Sequence, residues 1–287
     1  MRTVTPPLAG YSRNVYSQFG EDGILEELVA RISGRVSSQR GGAAPWVVEL
    51  GAWDGVHLSN ACNLIRSHGW NAVLIEGEED RIATASVHHP TENVIKIRKF
   101  VTLSDGDTLD DVLATTPVPE QFEVLSIDID GCDYWVFDSL NDYRPCIVII
   151  EFNPSIPNPV DFVQARDFSV KHGSSAAALT RLAKEKGYAL AAVTLCNLIL
   201  IREDLVEDAG VAPQSLEDLR DDSAETVYLF CGYDGTILLS RETVLPWHGS
   251  RVSDGTLKVI PKIFRSYPGD WGRLRSLLWR VHRRLSR

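Results

Sequence analysis

The stretch Trp46-Val-Val-Glu-Leu-Gly-Ala-Trp-Asp-Gly55, with Glu76 following 21 residues later in Ala-Val-Leu-Ile-Glu-Gly, constrains this chain most. An apolar run breaks into a turn carrying Gly51 and Gly55. A helix-length segment follows, and a second apolar run ends on an acid. That is the layout of a nucleotide-binding βαβ unit, in which glycines let backbone approach a ligand and the distal carboxylate accepts from ribose hydroxyls. The full G-x-G-x-x-G pattern is absent. A dinucleotide needs room for its pyrophosphate at such a turn, so the departure argues against an ordinary dinucleotide.

The alternation continues along the chain. Apolar runs predict strands near 46–50, 72–76, 93–98, 122–128, 146–151, 188–194 and 197–202, with helices over 57–68, 79–87, 107–114, 133–140 and 174–186. A further helix over 21–33 places Ile24, Leu25, Leu28, Val29 and Ile32 on one face, and residues 37–45 read as a polar, glycine-rich connector. Continuously apolar strands such as Val-Leu-Ser-Ile and Ile-Val-Ile-Ile suit a parallel sheet covered on both faces. Only Leu195 and Cys196 part the last two strands, which predicts a closing antiparallel hairpin. A mostly parallel seven-stranded α/β sheet ending in such a hairpin, with helices on both faces, is the Rossmann-like architecture of class I methyltransferases. The expected organisation is a helical cap over 1–45, a cofactor-binding core over 46–205, an extension over 206–270 and a tail over 271–287. Residues 152–173 carry three prolines and leave the carboxyl end of a strand, where α/β sheets hold ligands, so they read as a lid.

Charge and cysteine usage narrow the classes. The net charge of −10 hides six arginines and no acid over 271–287, which leaves −16 on the preceding residues. An acidic body repels phosphates, so a nucleic-acid partner is not expected. Cys62, Cys132, Cys146, Cys196 and Cys231 are scattered and odd in number, and read as reduced thiols of a cytoplasmic protein. Residues 1–7 lack the apolar core of a signal peptide, and no apolar run is long enough to span a membrane. The tail sets Leu274, Leu277, Leu278, Val281 and Leu285 at helical spacing among arginines. It can rest on an anionic membrane or dock on protein.

Several residues can carry chemistry. Glu49, at the end of the first strand, can bind a ligand amine or a loop amide, while Gly51 and Gly55 keep the turn free of side chains. Glu76 fits ribose. Leu125-Ser-Ile-Asp128-Ile-Asp130-Gly-Cys-Asp133 runs a buried strand into acids, and the alternation aims Asp128 and Asp130 the same way. Glu151 and Asn153 end the neighbouring strand and add oxygen donors. The cluster therefore suits either a hard cation such as Mg²⁺ or direct hydrogen bonding to an acceptor. His57 is a candidate base as well as a cap. Ser59 and Asn60, on the expected first helical turn, offer amides and side chains to a ligand. His172, closing the lid, is another candidate base. Near the N-terminus, Gln18, Glu21 and Asp22 can reach the ligand's edge or cap a helix.

Four motifs, Tyr16–Gly23, Glu49–Asn60, Gly69–Gly77 and Ile127–Trp135, jointly resemble the FkbM-like S-adenosylmethionine-dependent methyltransferases over about residues 11–205. The resemblance implies methyl transfer to hydroxyl oxygens of sugars, glycans or secondary metabolites. Related macrolide-sugar enzymes use Mg²⁺ held by an acid after the fourth strand and two after the fifth. Here the fifth strand offers Glu151 and Asn153 instead. The expectation is therefore an O-methyltransferase: Gln18, Glu49, Gly51, Gly55, Ser59, Asn60 and Glu76 toward the cofactor, with Asp128, Asp130 and His57 toward the chemistry. Its rivals are a nicotinamide-dependent oxidoreductase and a non-catalytic, membrane-associated binding protein.

Overall fold

The structure, a computed structural model, describes residues 8–212, 214–223, 226–254, 257 and 260–285. Residues 1–7, where no signal peptide is expected, and Arg287 of the basic tail lie outside them. The chain divides into two compact units, Met1–Asp222 and Ser223–Arg287.

The first unit is built on a seven-stranded sheet: β1 (Trp46–Leu50), β2 (Asn71–Glu76), β3 (Val94–Arg98), β4 (Val124–Ile127), β5 (Ile147–Glu151), β6 (Tyr188–Val193) and β7 (Asn197–Arg202). Its order is β3-β2-β1-β4-β5-β7-β6. The first five strands pair in parallel, and β7 runs antiparallel to both β5 and β6. This is the mostly parallel, Rossmann-like sheet closed by an antiparallel hairpin that the sequence predicts. The strand order turns back between β1 and β4, which stay parallel, and this is the topological switch point at which open α/β sheets bind ligands.

Alternating side chains serve two cores. Val48, Leu50, Val73, Ile75, Leu125 and Ile127 face α4 (Leu109–Ala114), α5 (Asp133–Ser139) and α6 (Ala176–Glu185). Val47, Ala72, Leu74, Ile147 and Ile149 face α1 (Glu21–Gln39) and α2 (Cys62–His68). The remaining helix of this set, α3 (Glu79–His88), buries Ile82 and Ala85. Each fully buried Leu or Ile of α1 contributes about 1.5–3 kcal/mol. Helix α1 outruns its expected end because Val36, one turn beyond Ile32, is also buried, while Ser37 and Ser38 face solvent. Two single-turn helices, α7 (Val206–Ala209) and α8 (Leu216–Leu219), follow β7.

Helix α2 starts five residues later than expected, at Cys62, and the reason lies in the site. The 152–173 insertion holds no helix or strand and is organised around Gln164, which is 1 % exposed. Its Oε1 accepts from the amides of His172 (3.1 Å) and Gly173 (2.8 Å), and its Nε2 donates to Val170 O and to Cys132 Sγ. Trp135 Nε1 in turn donates to the Gln164 carbonyl at 3.0 Å. Gln164→Ala is expected to destabilise the protein by about 2–3 kcal/mol, since buried partners lose their bonds. Limited proteolysis should then cut within 154–172 before any other part of the first unit; an unchanged digest would refute this role.

The second unit contains two antiparallel pairs, β8 (Leu229–Cys231) with β9 (Ile237–Leu239) and β10 (Thr243–Val244) with β11 (Arg251–Val252), and the helix α9 (Arg273–Leu285).

Candidate active site

A cavity of about 540 Å³ opens at the carboxyl ends of β1, β2, β4 and β5. Its size suits a nucleoside-sized ligand with an acceptor beside it. Among the described residues, the non-glycine positive φ angles fall at Trp53 (49°), Leu58 (56°) and Asp130 (56°), and all three residues line this cavity. Each such conformation costs about 1–3 kcal/mol, and strain of this kind concentrates where geometry serves a ligand.

Glu76, at the end of β2, is 7 % exposed. One carboxylate oxygen accepts from Trp53 N at 3.0 Å and the other from Glu78 N at 2.9 Å. The group is thereby fixed between the turn after β1 and its own turn, and lone pairs remain to face the cavity. Beside it the exposed Phe100 ring lies against Gly77, where a Cβ would fall 2.2 Å from the ring. The Arg81 guanidinium stacks 3.6 Å from the centre of the Trp53 ring. The sequence assigns no role to Phe100, Arg81 or Trp53, although Trp53 stands within the Trp46–Gly55 stretch and Arg81 within the helix expected over 79–87.

Glu49 has a different task. Its oxygens accept from Ser59 Oγ (2.6 Å), Asn60 N (2.7 Å) and Ala61 N (3.2 Å). These bonds hold residues 51–61 as a loop and delay α2 to Cys62. The amides expected to meet a ligand are thus taken by the protein itself, that of Asn60 by Glu49 and that of Ser59 by the Val56 carbonyl. The Asn60 side chain donates to Ser126 Oγ on β4 (3.1 Å), and Ser59 Oγ accepts from Cys62 N. Glu49, Ser59 and Asn60 all line the cavity, but these bonds engage their polar groups within the protein.

The glycine turn differs similarly. A Cβ on Gly51 (φ +84°) would fall 1.7 Å from the Asp128 carbonyl, and one on Gly55 (φ +72°) would crowd His89 and Leu74. Both glycines are required by the protein's own packing before any ligand arrives.

Burial pushes the Glu49 carboxyl up to about 7. A group raised in the folded state stabilises fully below its unfolded value, near 4.5, and that contribution is lost as pH rises through about 7. Glu49→Gln should therefore gain melting temperature relative to wild type between those values. Glu49→Ala should cost about 2–4 kcal/mol, because two amides and a hydroxyl lose their acceptor. Thermal melts across pH check both; parallel pH profiles for wild type and Glu49→Gln would refute the assignment.

Past β4 the chain brings carboxylates together. Asp133, buried at the start of α5, accepts from the amides of Ile129 and Gly131 (both 2.9 Å) and so fixes the turn carrying Asp130. Burial raises its carboxyl to about 6. Asp128, Asp130 and Glu151 each place a carboxylate oxygen within 4.8 Å of the others. Asp128 opens to the cavity yet is walled in by protein. Burial, then the charges of Asp133 and Asp130, raise its carboxyl above the usual range. Glu151 is raised by burial and then by Asp128, to which it is hydrogen-bonded. Two such carboxyls share a proton, with Glu151 donating to the Asp128 carboxylate.

Asn153 departs from its expected place. Its Nδ2 donates to His172 O (2.7 Å) and its Oδ1 accepts from Ser155, so it fastens the insertion and does not line the cavity. His172, exposed, likewise does not line it. His57 is exposed on the rim, its ring 6.3 Å from that of Trp53. Gln18 reaches the cavity, whereas Glu21 and Asp22 are buried and engaged by the protein's own donors. Asp22 accepts from the amides of Val15, Tyr16 and Ser17, and Glu21 from Thr194 and Asn197. The insertion contributes Phe168 and Lys171, whose Nζ donates to Ile129 O at 3.0 Å.

No family model matches the chain, and no curated protein matches it. Among solved structures, human N-acetylserotonin methyltransferase in complex with SAM is similar over 62 % of this chain and 51 % of its own, at 14 % identity and TM-score 0.36. An O-methyltransferase family protein from Burkholderia thailandensis is similar over 64 % and 59 %, at 14 % identity and TM-score 0.39. A third, described as a pericyclic reaction enzyme, is similar over 61 % and 46 %, at 11 % identity and TM-score 0.38. The chain thus spans only about half the length of these structures. At such values the likenesses decide nothing about the reaction, which rests on the site itself.

Proposed function

We propose that this protein is an S-adenosylmethionine-dependent methyltransferase acting on a hydroxyl oxygen, the acceptor being a sugar, glycan or secondary metabolite. The observation that carries this reading is Glu76. Its carboxylate is locked by two turns at the carboxyl end of β2 and faces a cavity whose far end is lined by Asp128, Asp130 and Glu151.

The residues fit the cofactor. Glu76 accepts from the ribose hydroxyls, and the exposed Phe100 ring, seated against Gly77, offers an aromatic surface to the adenine. The carboxylates beyond suit a cationic sulfonium centre. When bound, the cofactor supplies an electrophilic methyl group. The chain's own work is to align and to move a proton. Asp128 accepts hydrogen bonds from the acceptor hydroxyl and takes its proton, Glu151 holds the shared proton that tunes Asp128, and Phe168 and Lys171 narrow the opening to solvent. Asp130 orients a second acceptor hydroxyl.

A Mg²⁺ ion held by Asp128, Asp130 and Glu151 is a second reading, favoured by the closeness of their oxygens. The hydrogen bond between Asp128 and Glu151 favours proton sharing. Calorimetry with S-adenosylhomocysteine tests the main reading: saturable binding is expected, and its absence, with NADH binding instead, would replace it. Titration with MgCl₂ tests the second.

A further inference from the structure

We infer that the C-terminal unit docks the protein on an anionic lipid surface through α9. The inference is independent of the proposed reaction. Residues 223–287 carry eleven Lys and Arg against five Asp and Glu, a net of +6 in a chain of net −10. No acid occurs from Trp271 onward.

The helix has three sides. Trp279 and His282 pack on Phe264, with ring centres 5.1 and 5.6 Å away, and Trp279 meets Trp271 at 5.8 Å. That side anchors α9 within its own unit. A second side presents Leu274, Leu277, Leu278 and Val281, which are 71, 51, 45 and 49 % exposed. The third presents Arg273, Arg280 and Arg284, all exposed, with Arg283 beside them. At 100° per residue the leucine and arginine sides adjoin, so one surface can receive both.

An apolar strip bordered by arginines matches a bilayer's boundary, where acyl chains lie just below phosphate headgroups. A protein partner would need acids placed opposite each arginine, whereas a lipid surface offers anionic charge wherever the guanidinium groups fall. At 13 residues α9 is too short to cross a bilayer, which takes about 20, so it would lie along the surface. No helix among the described residues is long and apolar enough to cross.

Flotation of the full chain with phosphatidylcholine vesicles, with and without phosphatidylglycerol, is the test. The protein should float only with the anionic vesicles, and less as salt rises. The variant Leu277→Asp/Leu278→Asp should lose at least about tenfold in apparent affinity, and Arg280→Gln/Arg284→Gln should lose about as much and flatten the salt dependence. The substituted side chains are exposed, so melting temperatures should match wild type. The inference fails if the full chain does not float at any salt concentration, or floats equally with neutral vesicles. It also fails if the leucine variant binds like wild type, or if light scattering shows a dimer that this variant dissolves.

Discussion

Replacing Glu76 with alanine is expected to weaken S-adenosylhomocysteine binding about 100-fold, or ~3 kcal/mol, as two hydrogen bonds to an ionised acceptor disappear. The group is already desolvated and held by the Trp53 and Glu78 amides, so it needs little reorganisation on binding. Alanine also frees both turns, which adds a modest loss of melting temperature. Glu76→Gln separates the two effects: it keeps one acceptor oxygen, removes the charge, and should bind with intermediate affinity. Calorimetry on the three proteins makes the comparison. Affinity for S-adenosylhomocysteine within error of wild type in Glu76→Ala would remove Glu76 from the ligand site.

Asp128→Asn is expected to lower the methyl-transfer rate about 10³-fold, within the range for removal of a positioned general base. Cofactor affinity should change little, because Asp128 faces the acceptor end. The pH profile carries the sign. Asp128 must be ionised to accept a proton, and its carboxyl is raised by burial and by Asp133 and Asp130. Wild-type activity should therefore climb with pH through a point well above the ordinary carboxylate value of about 4, while the variant stays low and flat. Stability runs the opposite way. A carboxyl raised in the folded state stabilises fully below its unfolded value, and that contribution is lost as pH rises through the folded one. Asp128→Asn should thus melt higher than wild type by a margin that widens with pH. Methyl-transfer assays with a hydroxylated acceptor, alongside thermal melts across pH, check both halves. Wild-type activity in the variant would assign the base elsewhere, with His57 on the rim the next candidate.

The fold was legible because burial writes itself into periodicity. The apolar runs of β1, β2, β4 and β5, and the short link before β7, predicted a parallel sheet closed by an antiparallel pair. The boundaries that moved did so for tertiary reasons. Residues 57–61 read as helix until Glu49, buried beneath them, takes the amides of Asn60 and Ala61. The sequence reads as helix over 21–33 and as polar connector over 37–45, yet Val36 finds a core position and α1 runs on to Gln39.

For the candidate site, the sequence by itself determined which acids stand at strand ends. It therefore placed Glu49, Glu76, Asp128, Asp130 and Glu151 along one edge of the sheet. Strand order and the alternation of side chains are enough for that. Only the tertiary structure decided what each acid does, because a carboxylate's role depends on which donors reach it. Glu49 and Asp133, and one oxygen of Asp22, accept from loop amides and shape the protein. Glu76 is fixed by amides but faces the cavity, and Asp128 with Glu151 is left to share a proton beside it. Asn153, next to them in sequence, turns away to hold the insertion. Linear spacing cannot show that difference, since the donors come from segments as far apart as residues 153 and 172.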